Sequence, residues 1–297
     1  MTCRIGNWPQ KLTRADIPFK MQSAGKRGHT YKYTFNFPIV HMPEFESEQI
    51  FDHFRNEVLK RRRFVREEKA QKFLDALAST AEDRTINLKS GECLWRAQNG
   101  SNTKKFPQQT PGGGTTQVEK EVCLSKDRMT PHENMPTVGR VDPKGISCLY
   151  TASDEQTAVT EVRPWVGARV TVATLQTTCD LKLVDCTNGK FTIALGEMSD
   201  EEVDEAVWEK INRAFSTPVS DQDDTTQYAP TQIIAEVFKE QGYDGIVYKS
   251  SLGEGENVVL FDIESAKVDS TKLIQVESVN VEFEPERGWL KQKFGGM

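Results

Sequence analysis

Between residues 146 and 262 the chain alternates short β-type runs with amphipathic helical runs, and this alternation limits the fold more than any other feature. Strand candidates fall at 146–151, 169–175, 180–186, 245–249 and 257–262. Helical periodicity occupies 154–163, 199–214 and 230–240. Upstream, residues 47–81 form one helical pattern: Ile50, Phe51, Phe54, Val58 and Leu59 recur on a helical face, and Phe73, Leu74 and Leu77 repeat it. The texture changes at "INLKSGECLWRAQNG". The expected organisation is therefore a mostly helical N-terminal region, 1–85, followed by a mixed α/β part, 86–297, with a C-terminal extension after about residue 265. Two polar stretches interrupt the pattern. "NGSNTKKFPQQTPGGGTTQVEK" reads as a flexible surface excursion, and "STPVSDQDDTTQYAP" as a loop.

Charge and composition narrow the function. The 297 residues carry a net charge of −6, which disfavours nucleic acid as the direct partner because phosphate binding wants a basic face. The basic run "KRRRFVREEK" reads as a solvated helix face, since Glu67 and Glu68 follow at once. No run of about 18 apolar residues occurs, so no membrane span is expected. The N-terminus lacks a basic-then-apolar signal pattern, and the expectation is a cytoplasmic protein with reduced thiols. The six cysteines contain no Cys-x-x-Cys, the four histidines are scattered, and no metal site is expected. "GGGTT" lacks the Lys-Ser/Thr of a phosphate loop. "GEGENV" lacks the third glycine of a dinucleotide fingerprint.

Three short motifs carry candidate chemistry. In "LWRAQNG", Arg96 follows an apolar pair at an apparent strand end, where its planar fork can meet phosphate or carboxylate, or form a surface ion pair. In "VGRVDPKGISCLYTASDEQTAVTEVRP", Pro143-Lys144-Gly145 make a turn, Ile146–Tyr150 a strand, and Ser153 with Gln156 a capping box. Glu161 lies roughly 60° from Ala158 on the helical wheel. It falls in the last turn, where the helix dipole disfavours an anion by roughly 0.3–1 kcal/mol. It either pairs with Arg163 or Arg169, or stands at a pocket edge to meet a cationic ligand. In "GYDGIVYKSSLGEGENVVLFD", Ser250 begins a glycine-containing turn between two strands. It is either an ordinary hairpin serine or a hydroxyl offered to a ligand.

In this order the motifs resemble the RES family, named for an arginine, a glutamate and a serine. The resemblance covers roughly 86–265 and rests on Arg96, Arg140, Tyr150, Glu161 and Ser250, with an 11-residue step from Tyr150 to Glu161. Where the family pattern has Gly-Arg-Trp, this chain has Gly139-Arg140-Val141. The fold it implies is α+β: an ADP-ribosyltransferase-like mixed β-sheet core with flanking helices, preceded by a helical N-terminal region. The function it implies is a toxin of a toxin–antitoxin pair that destroys NAD+ by hydrolysis or phosphorolysis. Such an enzyme needs no prosthetic group or metal. NAD+ is its substrate, inorganic phosphate a candidate co-substrate, and an Xre-type helix-turn-helix antitoxin a candidate partner. The implied catalytic set is Glu161, Arg96, Tyr150 and Ser250, with Arg96, Arg140, Tyr150 and Ser250 binding NAD+. Glu161 would face the ribose as positive charge builds on C1. Arg96 and Arg140 would hold phosphate groups, Tyr150 would pack on nicotinamide or ribose, and Ser250 would orient them. An ADP-ribosyltransferase acting on a macromolecule and a non-catalytic nucleotide- or partner-binding module are the alternatives. The oligomeric state is left open.

Overall fold

A computed structural model describes residues 44–131, 138–187, 198–217 and 225–280, all within one compact unit. Cys3, His29, His41 and His132 lie outside the described residues. The architecture is α+β: one large mixed sheet with helices packed on it. Along the chain run α1 (Ile50–Lys60), α2 (Glu68–Thr80), β1 (Thr85–Leu88), β2 (Cys93–Asn99), β3 (Asn102–Gln109), β4 (Thr115–Val122), β5 (Leu149–Ala152) and α3 (Glu155–Glu161). There follow β6 (Arg169–Thr177), β7 (Leu181–Asp185), α4 (Asp200–Ser216), α5 (Ala229–Glu240), β8 (Gly245–Lys249), β9 (Glu256–Leu260) and β10 (Ala266–Gln275). Eight strands form the sheet in the order β1-β7-β8-β9-β5-β2-β6-β10. Only β7 and β8 run parallel, as the intervening α4 and α5 allow.

Side-chain alternation assigns the two faces. Ile246 and Tyr248 of β8, and Val259 and Phe261 at β9, join the helices α1, α2, α4 and α5. Val247, Val258 and Leu260 turn the other way, toward Leu149, Leu175 and Met129. Each helix meets the first face with residues one turn apart: Val207, Trp208, Ile211 and Phe215 on α4, and Ile234, Ala235 and Phe238 on α5. A reciprocal capping box, Ser199 with Glu202, starts α4, and Pro230 lies in the first turn of α5. On α2, Phe73 has ring contacts with Phe45, Phe51 and Phe54 at 4.7–5.9 Å between centroids. The N-terminal helices thus share one core with the sheet.

Four expectations change. The single helical pattern of 47–81 breaks between Lys60 and Glu68, so the basic run is an inter-helix loop with Phe64 and Val65 exposed rather than a helix face. The polar excursion is a regular exposed hairpin, β3–β4, with Phe106 opposite Val118. The strand expected from Ile146 starts only at Leu149, because the Pro143–Ile146 turn (Gly145 at φ 98°) occupies the residues before it. The chain after 265 opens with β10, which pairs with β6 along its length as the sheet's outer strand.

Phe73→Ala empties the centre of the aromatic cluster. Chemical denaturation is expected to show a loss of about 3–5 kcal/mol; a loss below about 1 kcal/mol would contradict the packing described.

Candidate functional site

The ladder between β2 and β5 is reduced to one pair, Trp95 with Ala152. A cleft of about 460 Å³ lies at this seam, lined by residues from β2, the 139–140 loop, β5, α3, β8 and β9. Arg96, Arg140, Tyr150 and Glu161 all line it. Arg96 sits in the middle of β2 rather than at a strand end. Its Nη1 donates to the Tyr150 carbonyl at 2.6 Å, so the guanidinium bridges the seam that the backbone ladder leaves. Its Nε is buried with no hydrogen-bond partner. Burial pulls its pKa below the usual arginine value, against the opposing influence of Tyr150 and Asp142. Arg96 makes no ion pair among the described residues. A desolvated cation with an unused donor at a cleft is suited to an anion.

Glu161 ends α3, whose cap is Asp154 rather than Ser153. The Asp154 side chain accepts from Thr157 N at 2.8 Å, while Ser153 Oγ donates to Asp154 and accepts from Glu256 N at 3.0 Å. The cap therefore ties α3 to the start of β9. Gly255 is required there, since a Cβ would collide with Asp154, Thr157 and Ser153. Neither arginine expected beside Glu161 pairs with it: Arg169 binds Glu121 at 2.6 Å, and Arg163, which also lines the cleft, forms no ion pair with Glu161. Instead Glu161 Oε1 accepts from Ser250 Oγ at 2.6 Å and Asn257 Nδ2 at 2.7 Å. These neutral donors fix the carboxylate and leave its charge uncancelled. Its other oxygen accepts no protein hydrogen bond among the described residues.

Ser250 stands behind Glu161. Its hydroxyl donates to the carboxylate and accepts from Leu252 N (3.1 Å) and Gly253 N (2.9 Å), which uses the full capacity of a serine hydroxyl. It does not line the cleft. Tyr150 lines the cleft, but its hydroxyl is engaged: it donates to Asp142 in a short contact and accepts from Val141 N at 3.0 Å. Arg140 lines the cleft and anchors through Nη1 to the Phe215 carbonyl at 2.7 Å. The 139–142 loop is held by α5, with Thr231 Oγ1 donating to the Arg140 carbonyl (2.6 Å) and Gln232 Nε2 to that of Gly139 (2.8 Å). Gly139 leaves no room for a Cβ, which would strike Asp142 and the Tyr150 hydroxyl.

The sequence reading missed Asn257, Asp142 and Tyr248. Asn257 is a buried polar residue directly before the apolar run Val258–Leu260, a signal present in "ENVVL". Asp142 stands inside the quoted "VGRVDPKG" but reads as part of a turn. Tyr248 is buried at the cleft wall, and its phenol is pushed up to about 12, chiefly by burial, with Arg140 opposing and Glu161 adding to the shift.

The cleft thus joins an α+β sheet seam bridged by an arginine to a carboxylate held by serine and asparagine. A model of the RES domain matches residues 119–283, more than half of the chain, and the chain belongs to that family. The match begins after Arg96, which the sheet brings to the cleft through β2. None of the curated proteins matches. Among solved structures, a chain of the M. tuberculosis MbcT–MbcA toxin–antitoxin complex aligns at 14% identity over 67% of this chain and 92% of that one, with a TM-score of 0.37. No helix among the described residues is long and apolar enough to cross a membrane.

Burial raises the Asp142 carboxyl to about 6, against the lowering effects of the Tyr150 hydroxyl, backbone N–H groups and Arg96. The folded state therefore holds this proton more tightly than the unfolded chain. The stabilisation is complete below about pH 4 and is lost as pH rises to about 6. Relative to Asp142→Asn, the native chain should lose roughly 2–3 kcal/mol of unfolding free energy between pH 4 and 7. A pH-independent difference between the two denaturation series would refute the assignment.

Proposed function

We propose that this protein degrades NAD+ by cleaving the nicotinamide–ribose bond, and that it acts as the toxin of a toxin–antitoxin pair. The observation that carries the reading is Glu161: a carboxylate at the cleft, oriented by two neutral donors and paired with no cation among the described residues. Membership of the RES family and the position of Arg96 and Arg140 in the same cleft support it.

The chemistry follows from charge. Nicotinamide leaves as a neutral molecule from a cationic ring, so its departure needs no general acid. Positive charge grows on ribose C1, as in glycoside cleavage, and a fixed carboxylate stabilises it. Water or phosphate then attacks C1. The open oxygen of Glu161 is the group that meets the sugar. Ser250 and Asn257 are positioning residues that orient the carboxylate through its other oxygen, Oε1, and because both are neutral they leave the anion intact. Arg96 and Arg140 supply positive charge for the pyrophosphate or for a phosphate nucleophile. The Tyr150 ring offers an apolar face to nicotinamide or ribose, while its hydroxyl stays with Asp142.

Glu161→Gln should lower nicotinamide release by at least about 100-fold with little loss of NAD+ binding, the scale on which one preorganised electrostatic group acts. Near-normal turnover by the purified variant would remove Glu161 from the chemistry. Arg96→Ala should weaken NAD+ binding, read by calorimetry; an unchanged dissociation constant would confine Arg96 to a structural role at the seam. Mass analysis of products with and without phosphate tests the reaction itself. ADP-ribose indicates hydrolysis and its 1″-phosphate indicates phosphorolysis. Label from NAD+ appearing on macromolecules would overturn the proposal in favour of ADP-ribosyl transfer.

A further inference from the structure

His53 and Glu57 are one turn apart on α1, so their side chains emerge from the same face. Glu67, the residue before α2, is brought beside them because its backbone N–H donates to Glu57 Oε1 at 2.8 Å. One ligating atom from each of the three lies within 4.8 Å of the others. His53 Nε2 and Glu57 Oε2 are both buried without a hydrogen-bond partner. Glu57 is 2% exposed and forms no ion pair among the described residues. A buried carboxylate oxygen and a buried ring nitrogen, both unused and on residues whose ligating atoms cluster, constitute an unmet demand for a cation.

We propose that His53, Glu57 and Glu67 bind a divalent transition-metal ion of the zinc class, which links α1 to the start of α2. One imidazole nitrogen with two carboxylate oxygens suits such an ion better than magnesium or calcium, which prefer all-oxygen shells. Ligands about 2.0–2.2 Å from a shared tetrahedral ion stand about 3.3–3.6 Å apart, so the three side chains, now within 4.8 Å of one another, close by up to about 1.5 Å on binding. A cavity of about 380 Å³ lined by His53, Asn56, Glu57, Lys60 and Arg61 leaves space for water to complete the shell. The surroundings set a limit on affinity. Arg61 and Arg62 already reach Glu67 at 3.9 and 3.0 Å, and Lys60 lines the cavity, so the ion competes with fixed positive charge. The site lies outside the family-matched residues and apart from the Glu161 cleft, so it does not depend on the proposed reaction.

The probe is Co2+ titrated into the purified full chain and followed by visible absorbance and thermal unfolding. The expected result is one bound equivalent, with d–d bands but no thiolate charge-transfer band, and a rise in Tm from preferential binding to the folded state. His53→Ala should weaken binding by at least about tenfold, the smallest loss typical even of residues one step removed from a metal. Glu67→Gln, whose side chain is half-buried, should do the same and keeps the test decisive if His53→Ala does not fold. No uptake of Co2+, a thiolate band, or equal affinity in the folded variants would overturn the proposal.

Discussion

The contact on which the candidate site depends is the hydrogen bonding of Glu161 by Ser250 and Asn257. A carboxylate at the C-terminus of a short helix is unfavourable by itself, since the last carbonyls already present negative charge. An ion pair would be the simplest remedy, but it would also cancel the charge. The β8–β9 hairpin supplies a different one: a hydroxyl from the strand end and an amide from the returning strand, both neutral. The turn between them brings Leu252 N and Gly253 N onto Ser250 Oγ, which directs its one proton to Glu161. The register of the hairpin, Tyr248 against Asn257 and Lys249 against Glu256, is therefore also the geometry of the site. The tie from Ser153 and Thr157 to Glu256 and Gly255 fixes α3 to the same hairpin.

A second network sets the opposite wall. Asp142 accepts the Tyr150 hydroxyl, Val141 N donates to it, and Gly139 packs so closely that no side chain fits. Thr231 and Gln232 on α5 hold the backbone of this loop, so the helical layer determines where Arg140 stands. With its hydroxyl already used, Tyr150 contributes shape and an aromatic surface to the cleft. Its phenol is held well above the usual range, chiefly by burial and then by the Asp142 charge, so it stays neutral at ordinary pH.

Much of this could be read from the sequence where a local pattern has one physical outcome. The helical run 199–214 and the strand candidates 180–186 and 245–249 correspond to α4, β7 and β8, with ends shifted by one or two residues at α4 and β7. The order of Arg96, Tyr150, Glu161 and Ser250 pointed to residues that the fold does gather, three at the cleft and Ser250 directly behind it. Patterns with no buried face were misread. The β3–β4 hairpin is exposed on both sides, so it shows no alternation and carries a proline within a strand. The break after Lys60 is hidden because Phe64 and Val65 look like core residues and lie in solvent. Partners were hardest of all: Ser153 and Asp154 are both good caps, and only the position of Glu256 decides between them. Asn257 and Asp142 matter through contacts made across the fold, which no local spacing encodes.

The two charges of the cleft differ in how they are prepared. Glu161 is oriented by neutral donors and keeps an open oxygen. Arg96 is desolvated, bridging β2 and β5 through one Nη while its Nε has no partner. Folding has already removed water from this cation, so an anion arriving at the cleft need not strip it again, and the interaction is stronger for being made away from bulk solvent. The cost falls on the folded state, where a buried donor goes unmet and the sheet retains only one ladder pair at that seam. A carboxylate and a guanidinium left unpaired with each other in one cleft are poorly explained by stability alone. The proposed reading accounts for both, since its ligand would carry a developing cation and phosphate groups, each meeting its own partner.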